Sequence, residues 1–79
     1  MGRQRAELVF LYSSAAEAEL VAGLLELDNR LAAGRLKVST TAKGREVVSV
    51  VEHPELHTLF ATVSDLLFCE KLISDMLEV

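Results

Sequence analysis

The sequence predicts an α+β domain of order β-α-β-β-α, with a three-stranded antiparallel sheet in the order 1-3-2 and two helices packed on one face. Three observations predict it. Glu7–Ser13 and Glu46–Glu52 are short runs rich in β-branched and aromatic residues. Leu36–Ala42 alternates apolar and polar residues, the period of a half-buried strand. Ser14–Leu31 and Pro54–Val79 carry apolar residues at helical spacing. A right-handed crossover through the first helix leaves a gap between strands one and two. The third strand, hairpinned to the second, fills that gap.

Each element has a local cause. Residues 1–5 read as a short, disordered basic arm, and residues 6–79 as a single domain. Leu8 to Tyr12 put apolar groups on both faces of the first strand. Ser14 and Glu17 make a capping box, in which the hydroxyl accepts from the Glu17 amide and the carboxylate reaches back. Gly34 is the stop signal beyond the helix. Lys43-Gly44 marks a tight turn, and Val47, Val48, Val50 and Val51 make the strand after it the most β-prone segment. A central place suits that strand. Pro54 fits the first turn of the final helix, where its missing amide costs nothing, and Glu55 complements the helix dipole.

Both helices are apolar on two sides. In the first, Ala16, Leu20, Gly23, Leu24, Leu27 and Leu31 form the heavier face. Ala18, Val21, Ala22 and Leu25 form a lighter one whose small residues admit a partner helix. Alanines filling a solvated helix remain the other reading of that face. In the final helix, Leu56, Leu59, Phe60, Val63, Leu66, Leu67, Ile73 and Leu77 form the expected core stripe, and Phe68, Leu72 and Met76 a second stripe for another chain. The uncovered sheet face presents either Val48 and Val50 or Val47 and Val51, which makes it a candidate dimer surface.

Composition narrows the function. Seventy-nine residues bury a modest core, and domains of this size draw support from disulfides, metals or oligomerisation. Cys69 is the only cysteine, which excludes an internal disulfide and reads as a small buried hydrophobe. His53 and His57 have no metal-ligand spacing around them, so no metal or cofactor is expected. Ser13, Ser14 and Ser64 have no nearby base and no carboxylate pair suggests a pocket, so the chain does not read as an enzyme. A net charge of −4 argues against nucleic-acid binding over the whole surface. Arg35, Lys37, Lys43 and Arg45 form a small basic rim that is a candidate RNA contact, with an ordinary charged edge strand the favoured alternative. No apolar run approaches the roughly 20 residues of a membrane span, and no signal-peptide core follows the arm, so a cytoplasmic location is expected.

Three segments carry a family resemblance: ELVFLYSSAAEAELVAGLLELDN, LKVSTTAKGREVVSVVEH and LHTLFATVSDLLFCEKLISDMLEV. Over residues 7–79 the chain resembles the small Pcc-type (LAGE-like) subunit of the KEOPS complex, which attaches a threonylcarbamoyl group to an adenosine next to the tRNA anticodon. The strongest local match is Thr62-Val63-Ser64-Asp65-Leu66-Leu67, which sits where the family shows a Val-Asn-Ser-x-Leu type motif. The family's arginine just before that motif is replaced by the run Leu59, Phe60 and Ala61, and Ser64 stands for its asparagine. Those departures lean towards the divergent archaeal paralogue of the subunit. The resemblance implies a non-catalytic accessory role. The two helices, through Ala18, Val21, Ala22, Leu25, Phe68, Leu72 and Met76, pack on the catalytic subunit, and the sheet, through Val47, Val48, Val50 and Val51, pairs with a Pcc-type chain. Arg35, Lys37, Lys43 and Arg45 are then the candidate tRNA contacts. Two alternatives stay open: a small RNA-binding α/β module, and a stand-alone homodimeric scaffold. The first lacks a GXXG clamp loop and an aromatic pair on the central strand.

Overall fold

The computed structural model describes residues 3–29 and 36–77. The elements are β1 (Gln4–Leu11), α1 (Ala15–Asn29), β2 (Lys37–Lys43), β3 (Glu46–His53) and α2 (Leu56–Leu77). β3 lies between β1 and β2 and is antiparallel to both, giving the sheet order β1-β3-β2. Both helices pack on one face, α1 mainly over β2 and α2 over β3 and β1. The predicted fold class is the one observed.

β3 organises the core. Val47, Ser49, Val51 and His53 alternate with Val48, Val50 and Glu52, and the first set is buried. The strand is thus one-sided, although its composition made both faces look apolar. In register, Ala6, Leu8 and Phe10 of β1 and Val38, Thr40 and Ala42 of β2 join this buried face. Thr40 and Ser49 stand opposite each other, and their hydroxyls hydrogen-bond at 2.9 Å, so the polar pair is satisfied within the core. Gly44, at φ 60°, opens the two-residue turn that Lys43 and Glu46 close. Glycine at the first central position is the signature of a type II′ hairpin turn.

α1 meets the sheet with its lighter face, the one whose small residues suggest a partner helix. Ala18, Val21, Ala22 and Leu25 are buried. Leu20, Leu24, Ala16 and Gly23 are exposed. The reason is packing distance. Ala18 and Ala22 let the helix backbone settle close to the strands, while Val21 and Leu25 fill the space between. The expected end of the helix at Leu31, and the Gly34 stop, lie outside the described residues.

Local boundaries differ at three places. Gln4 and Arg5 belong to β1, paired with His53 and Glu52, so the arm is shorter than predicted. The Ser14 hydroxyl does accept from the Glu17 amide at 3.2 Å, but the Glu17 carboxylate takes the Ser13 hydroxyl at 2.5 Å. Pro54 precedes α2 rather than opening it. The Glu55 carbonyl accepts the first helical bond, from Leu59, and the Glu55 amide donates to Nδ1 of His53 at 2.9 Å.

The assignment of α1's faces is measurable. Leu25→Ala is expected to lower unfolding free energy by about 2–5 kcal/mol, the range for a buried leucine truncation. Leu20→Ala should change it by less than about 0.5 kcal/mol. Urea denaturation of the two variants reads this directly.

Candidate partner-docking surfaces

Three surfaces remain after the core is closed. The first is the outer side of the helices. Leu20 and Leu24, four residues apart, lie opposite the buried stripe of α1. On α2 only Leu59 and Leu66 are buried, with Val63, Cys69 and Ile73 packed partly against the core. The expected core stripe is therefore narrower than predicted, because Leu56, Phe60, Leu67 and Leu77 are exposed. Phe68, Leu72 and Met76 are exposed as well, Phe68 and Met76 by 65% and 72%. α2 thus carries two apolar flanks on either side of a polar strip that includes Ser64, Lys71 and Asp75. A single sheet this narrow covers one side of a helix and no more.

The second surface is the uncovered sheet face. Val9 of β1 stands opposite Val48 of β3, which stands opposite Thr41 of β2. The neighbouring row is Glu7, Val50 and Ser39. Val48 and Val50 are half-buried by these neighbours, whereas Val47 and Val51 are core residues and do not reach this face. Arg5, Glu52 and Lys37 form a charged row at one end; at the other, exposed Leu11 stands beside Glu46 and Lys43 and extends the apolar patch along β1.

The same rows place the basic rim. Lys37 lies across from Glu52 and Lys43 across from Glu46, so each lysine has a carboxylate as its cross-strand neighbour. Arg45 is exposed in the turn, and its carbonyl accepts from the Tyr12 amide at 2.9 Å. Arg35 lies outside the described residues. Among the described residues, the two strand lysines of the rim are thus balanced by glutamates.

The third feature was not foreseen. The Tyr12 hydroxyl donates to the Glu70 carboxylate, which also accepts from Ser74 at 2.7 Å. These residues, with Leu11, Ser13, Glu17 and Leu77, line an open cavity of about 420 Å³. Burial, then the hydrogen bond to Glu70, pushes the Tyr12 phenol well above its ordinary value. A phenol held in its protonated form is a fastener rather than a nucleophile. It ties the end of β1 to the last turns of α2. Among the described residues, no group of three His, Cys, Asp or Glu is placed to hold a metal. No helix among them is long and apolar enough to cross a membrane. Compared with known proteins, the sequence matches no family model and none of the curated proteins.

Tyr12 is the only tyrosine and there is no tryptophan, so ultraviolet titration reports this phenol alone. Its pKa is raised on folding, so its contribution to stability is complete below the unfolded value near 10 and is lost as pH rises beyond it. Phenolate absorbance should therefore stay low in the folded protein at pH values where the urea-unfolded chain has ionised. Coincident titration curves would show that the Tyr12–Glu70 contact does not form.

Proposed function

We propose that this chain is a non-catalytic accessory and dimerisation subunit of the Pcc type, serving a KEOPS-like tRNA-modifying assembly. The observation that carries the reading is the exposed apolar surface on the outer sides of both helices. Exposed apolar stripes along helices are the kind of surface by which small folded domains dock. The β-α-β-β-α element order, which the family resemblance implies, adds support. In this reading the helices dock on the catalytic subunit through Leu20 and Leu24 of α1 together with Phe68, Leu72 and Met76 of α2. That set replaces Ala18, Val21, Ala22 and Leu25, which the core has already used. The chain pairs with itself or with the ordinary Pcc-type subunit, and any approach to tRNA is made through the assembly. A stand-alone RNA-binding role draws less support, because glutamates face the strand lysines across the sheet.

The test is direct. The purified chain is mixed in turn with the catalytic subunit and with the ordinary Pcc-type subunit of the same source, and masses are read by light scattering after size exclusion. A defined complex with at least one of them is expected. Leu72→Glu should keep its circular dichroism and lose the catalytic subunit, since Leu72 is half exposed and outside the core. A chain that binds neither subunit removes the KEOPS reading. Loss of helical signal in Leu72→Glu would instead make Leu72 a core residue.

A further inference from the structure

The second half of α2 is seated less firmly than the first. Leu66 is the last buried residue of the helix, which runs on to Leu77, about 16 Å further. Along that stretch, among the described residues, Cys69 and Ile73 are the hydrophobics packed against the core, and both only in part. The last turn carries Asp75 and no basic residue, so its charge opposes the helix dipole. The open cavity of about 420 Å³ lies between these turns and the end of β1, so close packing does not hold them there.

A polar clasp crosses that space. The Tyr12 hydroxyl donates to the Glu70 carboxylate, and Ser74, one turn further along α2, donates to the same carboxylate and fixes its orientation. A hydroxyl-to-carboxylate bond partly shielded from water is among the stronger hydrogen bonds. The stripe of Phe68, Leu72 and Met76 stands on the far side of the same turns. At about 100° per residue, Leu72 lies about 160° round the helix from both Glu70 and Ser74. Phe68 and Met76 lie one turn before and after it, and all three are exposed. The clasp therefore grips α2 directly behind the stripe.

We propose that Tyr12 is a positioning residue for docking: its bond to Glu70 holds the last three or so turns of α2 in the one orientation in which Phe68, Leu72 and Met76 meet the partner subunit. Tyr12 itself contributes nothing to the docking stripe. It keeps the binding-competent helix populated before the partner arrives, and apparent affinity scales with that population. Without the clasp, the turns beyond Leu66 open locally while the sheet and α1 stay folded. Ordering those turns on binding then consumes part of the docking free energy. The inference rests on the helix docking surface proposed above.

Two measurements test it: amide hydrogen exchange on the free chain, and calorimetric titration with the catalytic subunit. Tyr12→Phe is expected to speed exchange across residues 67–77, leave β3 protected, and weaken binding about tenfold. Glu70→Ala should do the same. The double variant should lose no more than either single one, because the two residues act through one bond. Glu70→Gln keeps an acceptor for the phenol and should retain most of the affinity. Protection of β3 checks the fold of each variant. Unchanged exchange of α2 in Tyr12→Phe would overturn the clasp. Faster exchange with undiminished affinity would overturn the positioning role, as would additive losses in the double variant. A wild-type chain that does not bind the catalytic subunit overturns the docking reading and the positioning role together. That failure is told apart from the others because it shows before any substitution is made.

Discussion

The complete burial of one face of β3 is the constraint on which the rest depends. Val47 and Val51 lose all contact with solvent, and Ser49 does so with its hydroxyl already bound to Thr40. Because strand side chains alternate, burying that face commits Val48 and Val50 to the other. Register then decides which residues of β1 and β2 enter the core. A slip of one residue in either neighbour would bring Glu7 or Lys37 under the helices and expel Leu8 or Val38. The helices have no comparable lock. They settle wherever their side chains best cover three strands.

That difference explains what could be read in advance. The strand order was legible because β3 is unusually valine-rich and β2 alternates without exception, and the hairpin turn was marked by Gly44. The helix faces were harder. α1 has two stripes of similar apolarity, and periodicity counts residues without weighing how closely each stripe lets the helix approach. The heavier stripe, with Leu20 and Leu24, was the natural choice for the core, yet Ala18 and Ala22 give the tighter seat. In α2 the count of apolar residues was right and the width of the buried stripe was not. Phe60 and Leu67 sit one step too far round the helix for a narrow sheet to reach.

Beyond the Ser14–Glu17 cap, the polar contacts were not legible. Tyr12 and Glu70 are 58 positions apart in the chain, and neither belongs to a motif. Glu26 of α1 likewise belongs to no motif, and its carboxylate accepts from the Thr40 amide. Such pairings follow from how elements cross, which one-dimensional spacing does not encode. The candidate surfaces share this origin: each is what remains exposed after a thin sheet has taken one side of each helix.

The Glu26–Thr40 contact couples two fates. While α1 is seated, its carboxylate occupies the one amide at the centre of β2 that would welcome a foreign strand. When the second half of α1 lifts away, the guard leaves with it, and the strand is uncovered on its edge and its inner face together. Transient opening of a single helix is then enough to create a polymerisation template, without global unfolding. Pairing of a foreign strand along β2 therefore requires α1 to lift first, a local opening and not the unfolding of the whole domain.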